Sequence, residues 1–425
     1  MRTHHYLNLS ILIPAVAVVL GATNALGDTL TLIPEISGDA ATVVMQGNAI
    51  TPDGAFVAGN SGSRGFLYNV ASGISYNVLG GGAQSAVANG VGYRTSGGNT
   101  ELLVSGTSSG YPTEWMTTDG GVTWGNKRRN SAMPGTQQMG TANQLGSQLG
   151  TDAYYISSSV NAGNQPVYLS VGSGAWVATV TYANKGISGG DKSLMNGVSA
   201  IGRAVGQRGQ GTTSNKAYVL DYAAGTPANY NLNTLHDATA LGTTMGELWA
   251  VSQNGTALFG RSYLTGTSGD YFSFKTTQPG FGATRGAQGP VIQLPELVGT
   301  GGSASRTITY GASADGRYAV GMDYLGIEKA ALWDTGDANP ANWTVTDLTQ
   351  FASDHGFLDG WVRLSRAYSV GWDPVTMEPV VTGVGVWSPD GGTTLITRAF
   401  VMEVPEPTTI ALLALGGLLV LRRRK

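Results

Sequence analysis

One short motif that returns along the chain constrains the fold more than any other feature of the sequence. The motif consists of a small or aliphatic residue, Ser or Thr, any residue, Asp or Asn, and Gly. A strand that ends in Gly follows it, as in AITPDGAFVAG, AVSQNGTALFG and GASADGRYAVG. Its seven copies start near Ala49, Ala86, Ala142, Gly197, Ala250, Gly311 and Ala367. The fourth copy lacks one residue, and the second, third and seventh match the motif more weakly. The mean spacing is about 53 residues, so the chain is an array of similar units.

Each unit is predicted to be a small antiparallel sheet. The Asp-Gly and Asn-Gly pairs supply the positive φ that tight hairpin turns need. Further strands follow as GFLYN from Gly65, KAYVLD from Lys216, KAALWD from Lys329 and RAFVME from Arg398. Four short strands in about 40 to 55 residues are the size of one propeller blade. The seven copies therefore predict an all-β fold, a seven-bladed β-propeller in which a strand at 29–33 or at 398–403 completes a shared blade.

The composition agrees with many short strands and excludes several classes of protein. The chain has 64 glycines, 12% charged residues, no cysteine and a net charge of -3. It lacks the basic surface of a nucleic-acid binder, and without cysteine the core has to hold the fold without disulfide bonds. A disordered Gly/Ser-rich matrix protein would have a similar composition, but nine Trp and eighteen Tyr between Val/Leu runs favour a packed core.

The C-terminal segment has three parts that suit membrane sorting. A Pro-Glu-Pro signature (Pro405, Glu406, Pro407) is followed by an apolar run, 410–421, and by a basic terminus made of Arg422, Arg423, Arg424 and Lys425. The prolines keep the signature extended. A helix of a dozen residues reaches about 18 Å, less than the ~30 Å hydrocarbon core, so it suits a transient anchor in the inner membrane. The basic terminus is expected to stay cytoplasmic and to place the rest of the chain outside.

The N-terminus predicts the same orientation. Arg2 precedes an apolar stretch, 9–20, and the small residues Ala22, Ala25 and Gly27 follow, which is the pattern of a secretory signal peptide. An uncleaved N-terminal anchor is the alternative. The predicted organisation is a signal peptide over 1–27, a propeller over 28–403 and a sorting segment with a short transmembrane helix over 404–425.

Two parts of the sequence resemble known families. The C-terminal segment is similar to the PEP-CTERM sorting tag, and an ordinary tail anchor would not need its Pro-Glu-Pro. This resemblance implies an exosortase as partner, in Gram-negative bacteria that often make exopolysaccharide. The repeats resemble extracellular HAF-repeat proteins, whose His-Ala-Phe strand reads RGF, KAY, KAA and RAF here, without the histidine. The segment from Asp347 to Val370 also resembles the helical insert and last hairpin of that family.

Two turns resemble the Asp box, Ser/Thr-x-Asp-x-Gly-x-Thr-Trp. TTDGGVTW contains Asp119, Gly121 and Trp124, and SPDGGTTL contains Asp390 and Gly392. The carboxylate of such a turn is expected to accept backbone N–H bonds while the aromatic residue packs into the sheet. Asp boxes occur in sialidases and also in propellers without catalysis, so the structural role is the favoured interpretation.

Catalytic and metal-binding constellations are not found in the sequence. The arginines that recur through the repeats form no recognisable triad for a substrate carboxylate: Arg64, Arg94, Arg203, Arg261, Arg285 and Arg317. His236 and His355, outside the signal peptide, have no spaced partner, so we expect no metal and no cofactor. The basic group at 127–129 is interpreted as a solvated loop, or alternatively as a contact for an anionic polysaccharide.

The sequence therefore predicts a non-enzymatic surface or extracellular-matrix protein that binds or scaffolds material such as exopolysaccharide in a biofilm. A glycan-active hydrolase or lyase on the same propeller is the alternative. A structural component without a defined ligand is the third hypothesis.

Overall fold

The computed structural model describes the repeat region with gaps. The described residues are 30–78, 86–96, 99–108, 111–125, 128–129, 154–158, 166–171, 180–181, 193–201, 203–208, 216–221, 231–234, 246–263, 271–277, 289–297, 306–324 and 326–405. The predicted signal peptide, the repeat copy near Ala142 and most of the sorting segment lie outside them. Within these ranges, no helix is long and apolar enough to cross a membrane.

Short antiparallel strands make up seven small sheets in the described residues, numbered here in chain order. Sheet 1 contains β2 (Met45–Ile50), β3 (Phe56–Ser61), β4 (Arg64–Asn69) and β5 (Ile74–Asn77). Sheet 2 contains β6 (Ala86–Ser96), β7 (Asn99–Ser108), β8 (Tyr111–Thr117) and β9 (Arg128–Arg129). Sheet 3 contains β10 (Tyr154–Ser158), β11 (Pro166–Val171) and β12 (Val180–Thr181).

The later sheets repeat this arrangement. Sheet 4 contains β13 (Ser193–Val198), β14 (Arg203–Arg208), β15 (Lys216–Asp221) and β16 (Asn231–Thr234). Sheet 5 contains β17 (Gly246–Val251), β18 (Ala257–Tyr263), β19 (Tyr271–Thr277) and β20 (Ile292–Gln293). Sheet 6 contains β21 (Arg306–Ala312), β22 (Tyr318–Tyr324), β23 (Glu328–Asp334) and β24 (Thr344–Asp347). Sheet 7 contains β25 (Trp361–Asp373), β26 (Glu378–Trp387), β27 (Ile396–Glu403) and β1 (Leu30–Leu32). The all-β prediction is confirmed, and the array is propeller-like.

In sheets 1, 5 and 6 the repeated motif forms the hairpin between the first and second strands. The copies near Ala86 and Ala367 instead fall within the first strands β6 and β25. Gly54, Gly255 and Gly316 adopt φ values of 74°, 72° and 75°, which glycine tolerates without a Cβ clash. In the sheet 6 turn, the Ser313 hydroxyl donates to Asp315 (2.6 Å) and accepts from the Tyr318 N–H (2.9 Å). The Ser/Thr and Asp/Asn positions of the motif therefore satisfy the polar groups of the turn.

These hairpins define two faces of the array. The face that carries the hairpins between first and second strands is called the turn face, and the opposite one, with the hairpins between second and third strands, the far face. Backbone bonds join neighbouring hairpins on the turn face, from Ala200 N to Gln253 O (3.0 Å), Gln253 N to Ala314 O (2.9 Å) and Trp372 N to Pro52 O (2.7 Å). Backbone hydrogen bonds on the turn face therefore link sheets 4, 5 and 6 and link sheet 7 to sheet 1.

The core lies between successive sheets. One buried cluster joins sheets 5 and 6 through Phe259, Ala319 and Trp333, and another joins sheets 7 and 1 through Val401 and Phe66. Because sheets 1, 5, 6 and 7 each bury apolar side chains against two neighbouring sheets, they depend on those neighbours for stability.

Sheet 7 joins the two ends of the described chain. Strand β1 pairs antiparallel with β27, and Leu30 lies opposite Met402. Arg398, which is only 1% exposed, donates to Glu35 Oε1 (2.6 Å), Ala41 O (2.9 Å) and Ile33 O (3.2 Å). The early and late strands thus share one sheet.

The segment that precedes β25 begins with a short helix, α1 (Leu348–Asp354). Its N-cap Asp347 accepts N–H bonds from Thr349 (3.0 Å) and Gln350 (3.2 Å), as expected of an N-cap carboxylate. Leu348 and Ala352 are buried in the core between sheets 6 and 7. The helix thereby covers the edge from which β25 starts.

Candidate functional site

The first strands of six sheets each carry a β-bulge at an equivalent place. The bulges interrupt the pairing of β2, β6, β13, β17, β21 and β25. The residues left unpaired there are Asn48, Asn89, Asn196, Trp249, Tyr310 and Tyr368. A bulge redirects a side chain out of the regular alternation of the strand, so these positions are suited to make contacts that other strand residues cannot make.

Asparagine at the bulge joins neighbouring sheets. Asn48 Nδ2 donates to Ala88 O in sheet 2 (2.8 Å), and Asn196 Nδ2 donates to Leu248 O in sheet 5 (2.8 Å). Asn48, Asn89 and Asn196 are all buried. At Asn48 and Asn196, therefore, the side chain of the bulge residue forms a hydrogen bond to the next sheet.

Aromatic residues occupy the bulges of the three consecutive sheets 5, 6 and 7. The Trp249 and Tyr310 rings meet edge to face with centroids 5.6 Å apart, and the Tyr310 and Tyr368 rings are tilted at 5.2 Å. All three side chains are only partly buried. Trp249, Tyr310 and Tyr368 are called the aromatic arc; their amphipathic rings can take up a ligand with both apolar and polar faces.

Two arginine–carboxylate pairs border the aromatic arc. Arg261 Nε donates to Glu247 Oε2 (2.7 Å), which also accepts from Trp249 Nε1 (3.1 Å). Arg366 Nε donates to Glu328 Oε2 (2.8 Å), and a second bond makes this pair bidentate. These pairs fix charged groups of both signs beside the rings.

Arg261 also binds through its guanidinium face. Its Cζ atom lies 5.5 Å from the centroid of the Trp249 ring and 4.9 Å from that of Tyr271. Cation–π contacts of this kind hold the guanidinium and the rings in one orientation. The rings of this part of the site are therefore ordered before any ligand arrives.

The residues beside the aromatic arc extend toward the far face. Glu247 lies near the start of β17, Tyr271 begins β19 and Glu328 begins β23, all at strand ends away from the turn face. Trp249, Tyr310 and Tyr368 themselves lie within the middle of their strands.

The tyrosines of the arc are protonated at neutral pH because the ordinary pKa of tyrosine, about 10, lies well above it. Burial raises the pKa of Tyr310 and that of Tyr368 further, and the hydrogen bond of Tyr368 with Arg366 acts in the opposite direction. The hydrogen bond to Glu328 raises the pKa of Arg366. The site therefore offers phenol hydroxyls and guanidinium groups, and a free tyrosinate is not available.

A central cavity between the first strands is too narrow for a sugar. Its lining residues come from sheets 1, 2, 5, 6 and 7 and their turns: Ala49, Ile50, Pro52, Val91, Gln253, Ala312, Ala314, Ser369 and Val370. The space that a water-sized molecule can occupy is about 10 Å³, close to the minimum for one water. This cavity therefore does not accommodate a larger ligand.

The two Asp-box-like turns have closely similar geometry. Asp119 accepts from the Thr123 N–H (2.9 Å) and the Thr117 hydroxyl (2.7 Å). Asp390 accepts from the Thr394 N–H (2.8 Å) and the Ser388 hydroxyl (2.9 Å). Hydrogen bonds, first of all from the Thr123 and Thr394 hydroxyls, lower the pKa of each aspartate to about 2. The carboxylates are thus engaged within their own turns.

The glycines and the tryptophan of these turns have local roles. Gly121 and Gly392 adopt φ values of 103° and 117°, which disfavour a side chain. Trp124 packs against the buried cluster between sheets 1 and 2. The first turn follows β8, whereas the second joins β26 to β27. The Asp-box assignment itself stays a prediction.

The recurring arginines are placed at separate sites. Arg64 pairs with Asp39, Arg317 with Asp334 (2.8 Å), and the buried Arg203 donates to Gly255 O in the next sheet (2.6 Å). Arg261 alone of this set is placed beside the aromatic arc. The side chains of Arg94 and Arg285 lie outside the described residues.

The remaining predicted site residues are placed as follows. Pro405 is buried, whereas Glu406, Pro407, Arg422, Arg423, Arg424 and Lys425 lie outside the described residues. His355, at the end of α1, has its Nδ1 2.8 Å from Phe351 O, and His236 lies outside the described residues. Lys127 and the side chains of Arg128 and Arg129 also lie outside the described residues. In the part of the chain that is described, no group of three His, Cys, Asp or Glu residues could hold a metal ion.

Comparison with known proteins identifies the C-terminal motif. Residues 403–425 match the family described as the PEP-CTERM protein-sorting motif. The predicted sorting motif is confirmed, and it implies export, membrane-associated sorting and recognition by an exosortase. No curated protein matches the chain.

Several solved structures are similar over most of the chain, at low identity. The Kuenenia stuttgartiensis hydrazine synthase is 14% identical, with 82% of this chain and 96% of that chain covered and a TM-score of 0.46. The Dos1 propeller is 12% identical (85% and 77% covered, TM-score 0.42). The polysaccharide lyase Uly1 is 11% identical (88% and 92% covered, TM-score 0.45). No inference about activity is drawn from similarities at this level.

Proposed function

We propose that this chain is an exported, exosortase-sorted protein whose region 28–403 is a seven-bladed propeller that binds extracellular glycan without catalysis. The aromatic arc, bordered by two arginine–carboxylate pairs, is the observation that carries the proposal. Aromatic side chains with a few fixed polar groups are the usual lining of a small-molecule site. A polysaccharide offers both ring faces and hydroxyls to such a surface.

A binding role is favoured over a hydrolytic one by the state of the acidic groups. Glycoside hydrolysis generally needs two carboxyl groups, one as acid and one as base or nucleophile. Glu247 and Glu328, the acids beside the arc, are each held in an ion pair with an arginine. Tyr310 and Tyr368 keep their protons. This arrangement supports recognition and the retention of polymer at the cell surface or in a Gram-negative extracellular matrix.

A titration tests the glycan proposal directly. Fragments of the host's own exopolysaccharide are added to the purified protein and to Trp249→Ala, with binding followed by calorimetry. We expect Trp249→Ala to weaken binding about tenfold, corresponding to about 1.4 kcal/mol. Trp343→Ala is the matched control, since Trp343 is also a partly buried tryptophan but belongs to the core between sheets 5 and 6.

Two outcomes of that titration would overturn the proposal. Release of reducing ends or unsaturated sugars would support the alternative, a glycan-active hydrolase or lyase. Binding at background level for every fragment would support a structural component without a defined ligand.

The sorting and fold parts of the proposal have their own tests. Replacing Pro405, Glu406 and Pro407 with alanine is expected to abolish processing in the native host, and unchanged processing would leave only a tail anchor. An experimental structure with a blade count other than seven, or a β-helix, would contradict the seven-bladed propeller.

A further inference from the structure

The hairpin between β25 and β26 exposes apolar side chains at its tip. Val375 is 86% exposed and Met377 59% exposed, whereas Glu378 at the start of β26 is buried. Single exposed apolar residues are common on protein surfaces. Two in one six-residue tip, 373–378, form a small apolar projection on the turn face.

The backbone of this tip is held in an unusual conformation. Met377 adopts a φ of 61°, and within the described residues it is the one non-glycine residue with positive φ. The equivalent hairpins of sheets 1, 5 and 6 place glycine at their positive-φ position, as Gly54, Gly255 and Gly316. A residue with a Cβ is disfavoured in this region, so a turn-forming role alone would be served better by glycine. The methionine side chain is thus presented at a conformational cost.

Hydrogen bonds make the tip rigid and occupy its nearest carboxylates. Met377 N donates to Asp373 O (2.9 Å), and Asp373 Oδ1 accepts from Val375 N (2.7 Å). The Thr376 hydroxyl donates to Glu403. Burial, and then the charge of Asp373, raises the pKa of Glu403. The two carboxylates nearest the apolar tip are therefore hydrogen-bonded within the tip and its neighbouring strand.

Both ends of the described chain lie beside this tip. Val404 N donates to Pro379 O (2.9 Å), so the strand that leads into the sorting motif leaves the fold next to β26. Leu30, opposite Met402, begins β1 at the same end of the sheet. The apolar run of the sorting segment starts at Ile410, five residues after Pro405, and can be separated from it by about 18 Å at most.

We propose that Val375 and Met377 enter the boundary between headgroups and acyl chains of the inner membrane while the sorting segment anchors the unprocessed chain. This inference rests on membrane insertion of the sorting segment, and it does not depend on glycan binding. The free energy of apolar side chains on a rigid tip falls when they leave water at this boundary. In this orientation the turn face meets the bilayer.

The absence of cysteine allows a clean test with the full chain. Val375→Cys and Leu395→Cys each provide one labelling site for an environment-sensitive fluorophore. Leu395, 60% exposed, is the matched control because it lies beyond the other end of β26, on the far face of the same sheet. Each labelled chain is reconstituted in vesicles of phosphatidylethanolamine and phosphatidylglycerol, and flotation verifies that the sorting segment is inserted.

The expected result is a blue shift at position 375 that is quenched by nitroxide-labelled lipid, and no shift at position 395. Equal spectra at the two positions in chains that float with the vesicles would overturn the contact of the tip, while leaving the anchor intact. Failure to float would remove the premise and overturn the inference. If Val375→Cys does not fold, Met377→Cys places the label on the same tip. Glycan titration of the same samples reports separately on the aromatic arc.

Discussion

The bulge position of sheets 1 and 4 differs from that of sheets 5, 6 and 7 in its side chain, although the backbone geometry is shared. Asn48 and Asn196 donate to the carbonyl groups of Ala88 and Leu248 in the next sheet. Trp249, Tyr310 and Tyr368 instead contact one another and remain partly exposed. One repeated backbone feature thus stabilises sheet contacts in one part of the array and forms a candidate binding surface in another.

The largest stability effect is expected on the asparagine side. Asn196→Ala leaves the buried Leu248 carbonyl without its side-chain donor, so the free energy of unfolding should fall by about 1–3 kcal/mol. Urea denaturation measures this. Tyr310→Phe, which keeps the ring, is the comparison on the aromatic side and should change the free energy of unfolding by less than about 0.5 kcal/mol. Equal losses in the two variants would contradict a structural role for the asparagine and a surface role for the aromatic residues at the bulge.

For ligand binding, the larger effect is expected on the aromatic side. Tyr310→Asn gives sheet 6 the bulge residue of sheets 1 and 4 and interrupts the aromatic arc at its centre. We expect glycan affinity to fall about tenfold, or about 1.4 kcal/mol, in calorimetric titration. Asn196→Ala, tested at a temperature where it is folded, should bind as the unsubstituted protein does. A loss of binding in both variants would mean that the arc is not a separate site.

A smaller effect is expected for the ion pair beside the arc. Arg366 and Glu328 are 37% and 30% exposed, so solvent screens their attraction. Glu328→Gln should therefore lower the free energy of unfolding by less than about 1 kcal/mol. A loss of several kcal/mol in thermal or urea unfolding would show that the pair supports the fold rather than only the surface.

The smallest effect is expected in the two aspartate turns, which lie in sheets 2 and 7. The pKa of Asp119 and of Asp390 is about 2 in the fold, below the usual value of 3.8. Their contribution to stability is thus present above about pH 4 and is lost as the pH falls through about 2. Asp119→Asn and Asp390→Asn should each flatten the acid-unfolding curve, followed by tryptophan fluorescence, over that window. A difference between the two variants would show that the surrounding sheet matters more than the turn.

The sequence was sufficient to predict the hairpins but not the candidate site. The repeated motif marks the turns at Gly54, Gly255 and Gly316 because its glycines need positive φ. The bulge residue stands directly before the motif, as in Asn48-Ala49, Trp249-Ala250 and Tyr310-Gly311. Extending the repeat by one residue would have revealed this column of Asn or aromatic residues.

Other features could not be read from the repeat. The motif copies that start near Ala86 and Ala367 do not align with this column, since the bulge residues of their sheets are Asn89 and Tyr368. The contacts of Arg261 with Trp249 and of Arg366 with Glu328 arise from strand pairing and sheet packing. Such pairings depend on tertiary structure, which local spacing does not encode.

The shared sheet of β1 and β27 also sets an order of events during export. Strand β27 ends at Glu403, immediately before the sorting motif, so it is among the last folded parts of the chain to be synthesised and translocated. Strand β1, among the first to arrive, has no partner in its sheet until then. Sheet 7 is therefore complete only when both ends of the described chain are on the same side of the membrane.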